Sequence, residues 1–147
     1  YKKTRKFVSI PIDTPLTGVL PLVGQTSQRI FPVVEASGRI AGYFRISELN
    51  HALTTPRDKI ATRDVRHLLA NELKMLNPGD SIETALGLMS SINAEELLVV
   101  DENAAEPVLG ILTRADILLY YSRKLSEMKL GESATAEAAL ATKGASG

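Results

Sequence analysis

The sequence predicts a mixed α/β (α+β) chain of two β-α-β-β-α repeats packed as one pseudo-twofold unit, and three observations carry that reading. A helix-start signature recurs: Asp13-Thr14-Pro15-Leu16-Thr17-Gly18-Val19-Leu20 returns, one residue shorter, as Asp80-Ser81-Ile82-Glu83-Thr84-Ala85-Leu86. Each copy is followed by a short β-branched run ending in an acid, Ile30-Phe31-Pro32-Val33-Val34 before Glu35 and Leu97-Leu98-Val99-Val100 before Asp101. A further strand-like run follows in both halves, Arg39-Ile40-Ala41-Gly42-Tyr43-Phe44 and Val108-Leu109-Gly110-Ile111-Leu112.

Taken in order, the first strands fall near Phe7 to Ile10 and Leu73 to Leu76. The helices after them start on Asx or hydroxyl caps, and Pro15 occupies a first helical position, where its missing N–H costs nothing. Leu16, Val19, Leu20 and Val23 follow the i, i+3, i+4, i+7 rule, as do Ile82, Ala85, Leu86 and Met89, so one face of each helix is core. Polar turns at Ser37-Gly38 and over 102–107 separate the two strands of each half. The runs Ile46 to Leu53 and Ala115 to Leu125 have helical composition. Residues 54–71 join the halves, with Pro56 as a break and a helix over Asp64 to Leu69. Neither half hides its helical faces alone, which is why the two are expected to pack together, sheet to sheet.

Composition narrows the function. Apolar residues make up 44% and charged residues 23%, which is a globular composition rather than a disordered or fibrous one. Lys plus Arg equals Asp plus Glu at 17 each, so no overall field draws the chain to nucleic acid. The absence of cysteine excludes disulfides, thiolate nucleophiles and cysteine-ligated metals, and the two histidines, His51 and His67, lack metal-ligand spacing. No apolar run reaches the roughly 18 residues of a membrane span. The chain opens on Tyr1, so a piece of a longer protein is expected.

The order Asp13-Thr-Pro-Leu, Phe31-Pro-Val-Val-Glu35, Gly38-Arg-Ile-Ala-Gly42 and then a helix resembles a CBS domain, the cystathionine β-synthase repeat. The second half matches more closely. There Val65-Arg66-His67-Leu68-Leu69 resembles the leader helix, Leu97 to Asp101 the central strand, and Gly110-Ile111-Leu112-Thr113-Arg114-Ala115-Asp116 the motif G-h-x-[ST]-x-x-D. The resemblance covers about residues 7 to 125. It divides the chain into a first repeat at 1–55 with its leader helix absent or truncated, a linker and leader helix at 56–71, a second repeat at 72–127 and a low-complexity, frayed tail at 128–147.

The resemblance implies a flat regulatory module that binds an adenine nucleotide between its repeats and controls an attached enzyme, channel or transporter. The ending Pro107 to Leu125 resembles the close of the cytosolic CBS pair of bacterial ClC-type chloride channels and transporters. That likeness implies an attached transmembrane domain and a cytoplasmic position. A CBS pair of a metabolic enzyme or magnesium transporter stands as an alternative.

Thr113 and Asp116 carry the physical case for a site. A strand running directly into a helix offers backbone N–H groups to anionic oxygen, and a carboxylate in the first turn can accept from vicinal hydroxyls such as those of ribose. The same spacing is also that of a capping box, which needs no ligand. By resemblance, nucleotide-bound relatives use the matching Thr and Asp. The first repeat has Arg45 and Glu48 instead, and Glu95 and Glu96 in the second repeat repel phosphate, so one ATP, ADP or AMP per pair is expected, with no cofactor required. The base would lie against Val8 to Ile10 and Gln28, Arg29, Ile30, Phe31 and Pro32. No Gly-rich loop, catalytic triad or carboxylate pair appears, so no enzyme activity is expected. His51 and His67 read as helix residues that are either satisfied by a partner or exposed. Ile117 to Tyr121 are consecutive and apolar and cannot all face one core, which predicts a homodimer through the last helix. The competing expectation is a ligand-free dimerisation module.

Overall fold

A computed structural model describes residues 7–54, 56, 63–127 and 134–146. The chain divides into two compact units, one comprising Phe7–Leu73 with Glu102–Pro107, the other comprising Lys74–Asp101 and the chain from Val108 onward.

In the first unit the elements are β1 (Ile10–Pro11), α1 (Leu16–Val23), β2 (Ile30–Val34), β3 (Ile40–Arg45), α2 (Ile46–Ala52) and a 3-10 turn at Val65–Leu68. The sheet order is β1-β2-β3, with β1 parallel and β3 antiparallel to β2. Apolar residues lie on both faces of β2, as its unbroken apolar run requires. Phe31 and Val33 point into a core shared with Ile10, Leu16, Val19, Phe44, Leu49, Val65 and Leu68. The Phe31 and Phe44 rings stack with centroids 5.2 Å apart.

The second unit repeats the plan. Leu76 bridges in parallel to Val99, where β1 pairs Ile10 with Val33. It continues as α3 (Ile82–Ile92), β4 (Glu96–Val100), β5 (Val108–Thr113), α4 (Arg114–Glu127) and α5 (Ala136–Ser146). Even the irregularity is copied: the antiparallel register slips between Val33 and Val34 in one unit and between Val99 and Val100 in the other. Ser81 caps α3 by accepting from the Thr84 N–H at 3.0 Å, and Asn93 closes the helix in the left-handed region.

Each unit is finished by a segment that follows its last motif helix. In the first, Leu16 N–H donates to Arg63 O and Val65 N–H to Thr14 O, both at 3.0 Å, while Leu69 Cδ2 lies 3.2 Å from where a Cβ on Gly42 would sit. In the second, Ile82 N–H donates to Ala134 O at 3.0 Å and Ala136 N–H to Asp80 O at 2.8 Å. There Leu140 Cδ1 lies 2.8 Å from where a Cβ on Gly110 would sit, so only glycine accommodates Leu140 as placed. Asp64 caps the first closing segment through the Arg66 N–H and Thr135 the second through the Ala138 N–H.

The segment 65–69, which resembles the second repeat's leader, packs into the core of the first compact unit, and that unit runs to residue 73. The tail expected to fray over 128–147 contains α5, whose Ala136 and Ala139 are buried in the second core; small residues suffice because the helix sits close against β5 at Gly110. Smaller differences have local causes. The first strand shrinks to two residues where Pro11 lacks a ladder donor, and its counterpart is the single bridge at Leu76. Leu20, expected in the core, is 40% exposed because Leu16 and Val19 already fill the inward face of the two-turn α1.

Candidate functional site

β5 ends at Thr113 and α4 begins at the next residue, so no loop intervenes between strand and helix. The Thr113 hydroxyl oxygen accepts from the Asp116 N–H at 3.0 Å, and Asp116 Oδ2 accepts from the Thr113 N–H at 3.1 Å. This reciprocal cap fixes both side chains, each half-buried, at the positive end of a 14-residue helix. Ile117 and Tyr120, buried one turn on, anchor α4. The Arg114 guanidinium turns away toward the approach to β4, with Nη2 donating to Ala94 O at 3.2 Å and Nε 3.4 Å from Glu95 Oε2. The capping-box expectation therefore holds.

The first unit builds the same junction with half its cap. Ile46 N–H donates to Arg29 O at 2.9 Å, as Arg114 N–H does to Glu95 O at 2.8 Å. Glu48 Oε1 accepts from the Arg45 N–H at 2.7 Å, but a guanidinium cannot accept a bond in return. Arg45 instead lies over the Tyr43 ring, 5.2 Å from its centroid, with Nη2 buried and lacking a hydrogen-bond partner.

Among the residues expected around a base, Ile10, Ile30, Phe31 and Pro32 are buried. Gln28 clasps the chain: Oε1 accepts from the Val8 N–H at 2.8 Å, while Nε2 donates to Val8 O at 2.9 Å and Ile30 O at 2.7 Å. Arg29 is exposed and Val8 half-buried.

One polar cluster was not expected. Asp64 accepts from the Arg66 N–H at 2.9 Å and pairs with its guanidinium, which also reaches Asp13 at 3.1 Å. The Arg66 N–H, aided by that guanidinium, holds the Asp64 carboxyl below its usual range, so its contribution to stability is present at neutral pH and lost as pH falls through the lowered value. Asp64→Asn is expected to flatten the loss of thermal midpoint below about pH 4, measured by circular dichroism.

The fold and the capped junction place the chain among mixed α+β proteins built from tandem β-α-β-β-α units. Residues 63–123 match the family model described as the CBS domain, so a CBS domain occupies that stretch. A curated protein of Methanocaldococcus jannaschii, described as uncharacterized, is 29% identical over 121 residues, 82% of this chain and 28% of its own length. The chain thus spans little more than a quarter of that relative. Among solved structures, it is similar to the CBS-domain protein of Agrobacterium tumefaciens at a TM-score of 0.64 and 16% identity, over 83% of this chain and 97% of that one. It is also similar to Listeria monocytogenes CbpB in complex with c-di-AMP, at 0.63 and 15% identity, over 82% and 90%. The CBS domain pair of protein MJ0100, in complex with 5′-methylthioadenosine and S-adenosyl-L-methionine, gives 0.62 and 18%, over 84% and 95%. These likenesses establish the fold as that of CBS-domain proteins.

Proposed function

We propose that the chain is a regulatory module that binds an adenine nucleotide at the β5–α4 junction, with Thr113 and Asp116 as its anchoring pair. The observation that carries this is the junction itself: a carboxylate held for vicinal hydroxyls beside a helix N-terminus suited to phosphate oxygen. The ligands in the CbpB and MJ0100 structures all contain adenine, which supports the ligand class. Groups committed to capping and anchoring favour binding over catalysis. Calorimetry with AMP, ADP, ATP and c-di-AMP tests the site. Asp116→Ala is expected to weaken binding about tenfold or more, from loss of hydrogen bonds to a charged group; undiminished affinity would refute the assignment.

A ligand-free dimerisation module is the second reading, favoured by the burial of Ile10, Ile30, Phe31 and Pro32. A nucleotide at 100 times its dissociation constant adds about 2.7 kcal/mol to the native state, so a thermal shift separates the two readings. In both, a second copy covers α4, whose Leu118, Leu119 and Leu125 are 48, 54 and 60% exposed. Leu119→Glu is expected to turn a dimer into a monomer in light scattering at micromolar concentration. A wild-type chain already monomeric there would refute the dimer.

Attachment to a membrane domain, and a cytoplasmic position, rest on the ClC-like ending Pro107 to Leu125 and on the leader helix expected to be absent or truncated in the first repeat; the relatives named above do not single out a chloride transporter. Among the described residues no helix is long and apolar enough to cross a membrane.

A further inference from the structure

Both histidines of the chain line one cleft of about 350 Å³ in the first unit. Ser47, Glu48, His51 and Ala52 of α2 form one wall, and Arg63 and His67 of the closing segment form the other. Arg63 is half-buried, and among the described residues its guanidinium has no hydrogen-bond or ion-pair partner. Glu48 is the one carboxylate lining the cleft; its Oε1 accepts from the Arg45 N–H at 2.7 Å and its Oε2 from the Ser47 hydroxyl at 3.4 Å. His67 turns Nδ1 to the Asp64 carbonyl at 3.2 Å, and the ring nitrogen that remains is Nε2. Arg45, on the strand that leads into α2, holds a second donor without an acceptor, its buried Nη2.

We propose that this cleft binds an oxyanion of the phosphate class, with Arg63 as its charged donor and the His51 and His67 rings flanking the space it would fill. A guanidinium fork matches two oxygens of a phosphate, and the half-buried setting reduces the screening that makes exposed charge pairs weak. The volume exceeds one phosphate group, so a pyrophosphate or a phosphorylated small molecule fits the space better than the bare ion. The site lies in the other unit from Thr113 and Asp116 and does not depend on the nucleotide reading.

Pyrophosphate is the probe, and the two histidine ring protons are the reporters in nuclear magnetic resonance. Titration is expected to shift both signals saturably, beyond the change given by potassium chloride at equal ionic strength. Arg63→Met is expected to raise the dissociation constant about tenfold or more, Arg63→Lys to retain part of the affinity, and Arg39→Met, in the exposed turn between β2 and β3, to change nothing. Shifts no larger than those from chloride, or an unchanged constant in Arg63→Met, would overturn the proposal. Asp116→Ala separates the two sites: pyrophosphate binding that survives it supports this cleft, and binding lost with it would put the anion at the β5–α4 junction and end the proposal. Nucleotide binding that is sensitive to Asp116, with no pyrophosphate effect on the histidines, would leave the nucleotide site standing and remove this one.

Discussion

Leu68→Ala destabilises the first unit by about 2 to 5 kcal/mol, the usual cost of emptying a buried leucine site. Leu68 is buried among Phe31, Val33, Phe44 and Val65, and the 3-10 turn that carries it has little rigid backbone with which to close the cavity. The effect is local in origin. Amide exchange is expected to accelerate in β2 and β3, which rest on that core, while the β4 and β5 amides are slowed as before. Urea unfolding read alongside exchange checks both the size and the place. Faster exchange confined to β4 and β5 would mean that residues 65–68 stabilise the second core and not the first.

Ala139→Asp is the corresponding experiment in the second unit, and its cost is expected to be about 3 kcal/mol or more. Ala139 is buried against the second core, where a carboxylate would lose its water and find no partner. The helix cannot tolerate that charge in place, so α5 undocks and uncovers the surface it shares with Ile82, Leu112 and Ile117. Ala139→Val, which adds two methyl groups, is the control for crowding alone, at about 1 to 3 kcal/mol. A melting curve unchanged by Ala139→Asp would mean that α5 contributes nothing to the fold.

These two segments mark where the sequence could be read and where it could not. Ser81 and Asp80 ahead of Ile82, the apolar runs at 30–34 and 97–100, and the Thr113–Asp116 spacing are local signals, and the strands, helices and cap they describe are all present. Closure of a unit is not local. Asp64 to Leu69 and Thr135 to Leu140 share a capping oxygen and an apolar spacing, but Ala136 and Ala139 are too small to read as a core face, and their partners lie some fifty residues upstream. The site was legible to the same degree. The Thr113–Asp116 cap follows from spacing, whereas the burial of Phe31 and Pro32 has no local signal in a strand apolar on both faces. The Gln28 clasps depend on where Val8 lies, which spacing does not show. Arg63 and His67 meet α2 only after the closing segment folds back, and the faint repeat between 63–69 and 134–140 is the one sequence signal that could have raised them.

The same closure sets an order of events on the ribosome. When residue 54 has emerged from the ribosome, the residues of the first unit's three strands and two helices are all outside but Val65 and Leu68 are not, and the core remains open to water. At about 5 to 20 residues per second, the missing turn follows roughly one to three seconds later. During that interval Phe31, Val33 and Phe44 are the surface a chaperone would meet. The nascent chain cannot seal its first half until it has begun the stretch that opens the CBS match at residue 63, so synthesis of the second half and completion of the first overlap in time.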